Sequence, residues 1–329
     1  IQCDSLKPNS SDPYISIANS PPTMAHCEMS MWQWNDNYGQ KRRTIVDNQD
    51  NKIKLPRGCR CNHQLLTKGS LSSIFSGKNI AFLGDSNMRN AYYTFNGELD
   101  SKFDYQAMIE TTKYHEDMHH DFKTNSGSSI CNSFHWTPYI QNVTSIIQQY
   151  ANGMTLLSQK DRQNLPALRH EKLPDMIVVQ VGLWDVLHNH KPDAPAGSLP
   201  PGLNQDIADL IHASYKLSPK RLNDDGTKSG TGPVLLFIQP LTIRDDTLQS
   251  ELKRKYMTES TIEAYRTLIR KSKLSEVATA LVESKKICEG QTKGVLDGVH
   301  YKEGVYHIMA QVIGNVGKYI FGKIPTIMI

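Results

Sequence analysis

Three short apolar runs punctuate the chain: Lys-Asn-Ile-Ala-Phe-Leu-Gly at 78–84, Asp-Met-Ile-Val-Val-Gln-Val-Gly at 175–182, and Pro-Val-Leu-Leu-Phe-Ile-Gln-Pro at 233–240. They are rich in branched residues and lack polar alternation, the pattern of strands buried on both faces. Other stretches carry apolar residues at helical spacing. These are 203–215 (Ile207, Leu210, Ile211), 258–281 (Ile262, Tyr265, Leu268, Ile269) and 306–320. Strands alternating with helices predict an α/β domain with a mainly parallel sheet. Polar, Gly- and Pro-rich stretches at 191–202 and 223–232 read as loops. No internal repeat is evident.

The texture before residue 76 is different. Four of the six cysteines fall there, with the pair Pro21-Pro22 and the polar run Asn48-Gln49-Asp50-Asn51, and little apolar periodicity. Residues 1–75 are expected to be an irregular, disulfide-tied segment wrapped on a catalytic domain spanning 76–329. Trp32 and Trp34 in that segment are expected to be packing residues.

Composition narrows the class. Apolar residues make up 38% and charged residues 21%, which excludes collagen, coiled coil and a wholly disordered chain. The net charge of +4 is spread along the chain, so it suits an anionic small substrate but not nucleic acid. No run of 18 apolar residues spans a membrane. The chain starts at Ile1 and is read as a mature or trimmed fragment, which leaves open whether an anchor or targeting segment was removed.

Cys3, Cys27, Cys59, Cys61, Cys131 and Cys288 fit three disulfides with 15 possible connectivities. Cys59 and Cys61 are too close to bridge each other and too close for a zinc knuckle. Sequons stand at Asn9 and Asn142. Free thiols and chance sequons in a cytosolic protein are the plainer reading. The combination favours an oxidising, secretory compartment.

In a parallel sheet, ligands gather at the carboxyl ends of the strands. After the first run comes Gly84-Asp85-Ser86-Asn87-Met88-Arg89. Gly permits a tight strand-to-helix turn, which leaves Ser86 exposed at a helix N-terminus whose free N–H groups can hold an oxyanion. An ordinary N-cap explains Asp85-Ser86 equally well. Late in the chain, Asp297 and His300 stand three residues apart ahead of the closing helix. They can share a turn, with Asp297 orienting an imidazole that takes the serine proton. A capping Asp beside a surface His is the commoner fate of that spacing. The two motifs together point to a nucleophilic serine.

Gly-Asp-Ser with a late Asp-x-x-His resembles the SGNH/GDSL hydrolase superfamily. The closer likeness is to its glycan O-acetyltransferase branch, which holds the trichome-birefringence-like and PC-esterase proteins and the luminal domain of sialate O-acetyltransferases. Arg89 three residues after Ser86, Phe134-His135-Trp136-Thr137-Pro138, Gln239-Pro240 and Leu296-Asp297-Gly298-Val299-His300 carry the likeness over about residues 78–320. It implies a three-layer α/β/α fold and transfer of acetyl from acetyl-coenzyme A, through Ser86, to a sugar hydroxyl. Sialic acid or another acidic sugar is the implied acceptor. The implied place is the Golgi lumen or the exterior, with no bound cofactor and no nucleic-acid partner. Gly182-Leu183-Trp184-Asp185 departs from the hydrolases' Gly-x-Asn-Asp, so the oxyanion donors are left to the Ser86 N–H and Arg89, with Ser129 or Asn132 as a third. Trp136 and Trp184 are expected to contact substrate. An acetyl esterase, an inactive glycan-binding protein and a zinc hydrolase are the alternatives.

The zinc reading comes from His115-Glu116-Asp117-Met118-His119, which fits His-Glu-x-x-His but lacks an apolar stripe to anchor a buried helix. It is expected to be a solvated loop or helix apart from the Ser86 cleft. His188-Asn189-His190 reads as an exposed loop or the rim of the active site.

Overall fold

The structure is a computed structural model and describes residues 65–104, 115–124, 127–153, 173–191, 193–217, 232–288 and 295–321. Four of the cysteines, Asn9, Trp32 and Trp34 lie outside them.

Six strands form one sheet in the order β2-β3-β1-β4-β5-β6. They are β1 (Asn79–Gly84), β2 (Met118–Lys123), β3 (Ser129–Trp136), β4 (Met176–Gln180), β5 (Val234–Ile238) and β6 (Ala280–Val282). All neighbours pair in parallel except β2 on β3, at one edge. Strands β1, β4 and β5 are the three apolar runs. Successive side chains point to opposite faces, so each run feeds two cores. Ile80, Phe82, Val178 and Leu236 enter one core; Ala81, Leu83, Val179 and Phe237 enter the other.

Helices cover both faces, which makes three α/β/α layers. The first core is roofed by α1 (Lys68–Ile74), α2 (Ser86–Leu99) and the closing α10 (Glu303–Phe321). The second is roofed by α3 (Ile140–Ala151), α5 (Leu203–Leu217) and α7 (Glu259–Lys271). Shorter helices are α4 (Leu183–His188), α6 (Glu251–Tyr256), α8 (Leu274–Val277) and α9 (Lys285–Cys288). Among the described residues, no helix is long and apolar enough to cross a membrane.

Two expectations are corrected. Helix α1 lies within the stretch read as irregular. Its Leu71 is buried, and Leu66 just before it exchanges two hydrogen bonds with the Gln311 side chain of α10 (2.7 and 3.1 Å). Only Leu71 and Ile74 are apolar within its seven residues, too few to show a helical period. The helix expected over 258–281 is instead α7, α8 and the strand β6. Ser272 stops α7: its hydroxyl donates to Ile269 O (2.7 Å) and accepts from Leu274 N (3.2 Å), side-chain bonds that compete with helix continuation.

Candidate active site

The site is assembled where β1 ends. Gly84 lies in register with Trp136 of β3 and Gln180 of β4. A Cβ on Gly84 would strike the Gln180 carbonyl and the Met88 side chain, so glycine alone permits this close crossing of strand and helix. Asp85 then caps α2, its Oδ1 accepting from Asn87 N (2.9 Å), and Ser86 opens the helix at half-exposure.

The turn carrying the histidine is pinned to the same edge. Val295 and Tyr301 form an isolated bridge, and Leu296 N donates to His300 O (2.8 Å). Gly298 sits at φ 86°, a left-handed conformation that favours glycine, and its carbonyl accepts from Arg244 N (2.9 Å). Tyr301 Oη donates to Thr242 O (2.7 Å), and Tyr306 Oη donates to Asn87 Oδ1 (2.7 Å). These bonds tie the turn to the segment following β5 and to α2.

The result is a chain of short hydrogen bonds. Ser86 Oγ lies 2.6 Å from His300 Nε2, and His300 Nδ1 lies 2.9 Å from Asp297 Oδ2. With the ring proton on Nδ1, directed at the carboxylate, Nε2 accepts from the serine hydroxyl. Asp297 Oδ1 accepts from the N–H groups of His300 (2.8 Å) and Val299 (3.1 Å). Lys253 Nζ of α6 stands 3.6 Å from Oδ2. Partial burial opposes ionisation of Asp297, but the bonds and charge from His300 and the Val299 N–H outweigh it, holding the carboxyl well below its ordinary range. Such an arrangement can deprotonate a serine for attack on an acyl carbon.

Asp85, one residue from the serine, is tuned the other way. Complete burial pushes its carboxyl up to about 6, against the opposing Asn87 and Met88 N–H groups and the charges of His300 and Arg89. Among the described residues its Oδ2 has no hydrogen-bond partner. Deeper still, burial first and then neighbouring Asp206 and Asp85 push Asp185 up to about 7. Asp185 accepts from Ile140 N (3.1 Å) and Asn189 Nδ2 (3.2 Å), so it ties α4 to α3.

The remaining candidates divide. Arg89 lies on the first turn of α2, its guanidinium carbon 5.9 Å over the Trp136 ring. Trp136 and Trp184 meet edge-to-face with centroids 5.8 Å apart. Ser129 does not belong: it begins β3, at the opposite end of the strand from Trp136, and is exposed. Asn132 does not belong either. It pairs in register with Ile80, is buried, and donates to Asn96 Oδ1 of α2 (2.6 Å). Parallel register brings only strand ends to the carboxyl edge, so neither residue reaches the serine.

His115 to His119 form neither a helix nor a loop apart from the cleft. Met118 and His119 begin β2, and His115 stacks on Trp136 at 4.1 Å. Asp117 accepts from the buried His135 (2.9 Å) and from Trp136 N (2.9 Å), which draws this segment to the edge. Among the described residues, no group of three or more His, Cys, Asp or Glu side chains is placed to hold a metal. His188 ends α4 at the rim, 5.0 Å from Trp184, while His190 stacks on Tyr256.

Cys131 and Cys288 are not bonded to each other, and the other four cysteines of the expected disulfides lie outside the described residues. Cys131 starts from the amino end of the sheet beside Asp121. Cys288 is buried against Thr242 and Tyr301 near the carboxyl edge, too far away for the two to bridge. Asn142 is exposed on α3, whereas Thr144 of its sequon is buried and donates to Ile140 O (2.9 Å).

The sequence reading missed Lys253 and Tyr139 and set His115 apart from the cleft. Tyr139 directly follows Pro138 and was legible there. Lys253 carries no local signal, because long-range packing alone brings it in.

No family model matches the chain. It is 24% identical over 267 residues to Protein ALTERED XYLOGLUCAN 9 of Arabidopsis thaliana, a match covering 78% of this chain and 64% of that protein. The chain thus spans just under two thirds of that relative's length. One solved crystal structure aligns at a TM-score of 0.36 and 15% identity, covering 75% of this chain and 99% of the other, a likeness too slight to carry an argument.

Proposed function

We propose that the protein is a serine-dependent O-acetyltransferase acting on a polysaccharide, related to the trichome-birefringence-like and PC-esterase proteins. The observation that carries this reading is the 2.6 Å contact between Ser86 Oγ and His300 Nε2, backed by Asp297. In the first half-reaction His300 takes the Ser86 proton as Oγ bonds to the acetyl carbon of acetyl-coenzyme A. The thioester C–S bond breaks, and the thiolate leaves with the proton from His300. In the second, an acceptor hydroxyl gives its proton to His300 and attacks the acetyl-serine. Ser86 departs as the alkoxide and recovers the proton. Arg89 and the α2 N–H groups hold the oxyanion of each tetrahedral intermediate.

The name of the Arabidopsis relative contains a xyloglucan, a neutral cell-wall polysaccharide. The reading therefore moves the acceptor from sialic acid to a neutral polysaccharide. Luminal or extracellular residence follows from such a substrate. Half-exposure of Ser86 also admits water, which makes acetyl-ester hydrolysis the second reading.

Intact-mass spectrometry after incubation with acetyl-coenzyme A tests the proposal. One added acetyl group on the wild type, absent in Ser86→Ala and discharged by a xyloglucan oligosaccharide, is the expected result. Discharge by water at the same rate with or without oligosaccharide would select the esterase. An acetyl group on Ser86→Ala would remove both readings.

A further inference from the structure

We propose that the aromatic rings running from Arg89 along the carboxyl edge form a docking track for a neutral sugar chain. This rests on the acyl-transfer reading and adds the path the acceptor takes.

The track begins at Arg89 over Trp136 (5.9 Å). Trp136 meets Trp184 at 5.8 Å, and Trp184 meets Tyr139 at 6.0 Å and His188 at 5.0 Å. His115 lies flat on Trp136 and crosses Trp184 at 90°. The six side chains come from α2, the approach to β2, the end of β3 with the residues after it, and α4. Convergence of four segments on one ring cluster usually builds a core. Here Trp136, Tyr139 and Trp184 are half-buried, His115 and His188 are exposed, and Trp184 packs into neither hydrophobic core.

His115 adds an independent sign. Among the described residues it is the one non-glycine with positive φ, at 75°. A left-handed histidine is strained, and such strain clusters at sites where the surroundings fix it for a ligand. Here it holds an imidazole against Trp136.

The chemistry of the cluster selects the ligand. A pyranose has apolar C–H faces and a rim of hydroxyls. Tryptophan and tyrosine offer broad apolar faces with a polar edge, and imidazoles offer one donor and one acceptor each. Among the described residues named in the track, the single fixed cation is the Arg89 guanidinium, at the catalytic end. A phosphorylated or carboxylated sugar would call for several cations along its length. Partial desolvation also shifts His188 below the ordinary imidazole value.

The test is titration of the full chain with a neutral xyloglucan oligosaccharide and with a sialylated trisaccharide, read by calorimetry and tryptophan fluorescence. The neutral ligand should bind and the sialylated one should not. Trp184→Ala should weaken binding about tenfold or more, and His188→Ala by a few-fold. His188 is exposed at a helix end, so its variant keeps the fold even if Trp184→Ala does not. Wild-type affinity in His188→Ala together with wild-type affinity in Tyr139→Ala would overturn the track, as would preference for the sialylated ligand. Acylation of Ser86 is scored separately by mass, so failure of the track and failure of acyl transfer give different results.

Discussion

Two carboxylates flank the same imidazole from different regions of the molecule, and the fold drives them in opposite directions. Asp297, in the turn before α10, receives N–H donors from His300 twice and Val299 once, with Lys253 close by. Asp85, at the head of α2, is fully buried, with one oxygen unpartnered among the described residues. The contrast shows that ionisation here follows depth of burial against the donors on offer, not distance from His300. It also divides the roles. The half-exposed carboxylate, bonded to His300, can orient a base at neutral pH, while the fully buried one is a structural cap carried at an energetic penalty.

The sharpest way to break that division is to neutralise each carboxylate in turn. Asp297→Asn should lower kcat on the order of 10³-fold, because the amide no longer selects the Nδ1-protonated ring. Asp85→Asn should leave kcat within about tenfold, since asparagine caps a helix as well as aspartate does. Equal losses in the two variants would erase the distinction. Arg89→Ala comes next: removal of an oxyanion donor typically lowers turnover about 10²–10³-fold. An unchanged rate would confine Arg89 to packing on Trp136.

The stability of the two regions should also respond oppositely to pH. The folded Asp85 value, about 6, exceeds its ordinary 3.8. Its stabilising contribution is therefore full in acid and lost as pH rises through about 6. Asp297 is displaced downward, so its contribution is present above the ordinary carboxylate value and lost as pH falls below it. Thermal melts of Asp85→Asn should show a gain at pH 8, on the order of 2 kcal/mol, that vanishes near pH 4. No gain at pH 8 would mean that Asp85 Oδ2 has a partner.

The smallest effect is expected at Lys253, whose Nζ stands 3.6 Å from Asp297 Oδ2. Lys253→Met should lower kcat by no more than a few-fold, and Lys253→Arg should restore it. An unchanged rate in Lys253→Met would make this a surface ion pair without effect on the base.

What the sequence disclosed follows the same physics. Strands β1, β4 and β5 were legible because burial on both faces forces continuous apolar runs. Edge strand β2 (Met118–Lys123) was not, since its polar residues alternate about two histidines and its pairing is antiparallel. Ser86, Asp297 and His300 were legible because local geometry demands Gly84 before the serine and Gly298 within the turn. Ser129 and Asn132 were misjudged because sequence shows that a residue lies on a strand but not its register. His115 was read as lying apart from the cleft because a left-handed backbone and a sequence-distant tryptophan place it.

The central claim is that Ser86 and His300 act as one unit, and a double-mutant cycle on acetyl transfer tests it most directly. Ser86→Ala and His300→Ala should each remove nearly all turnover, and the double variant should fall little below the worse single one. Losses that multiply would contradict the account, as would near-wild-type turnover in either single variant.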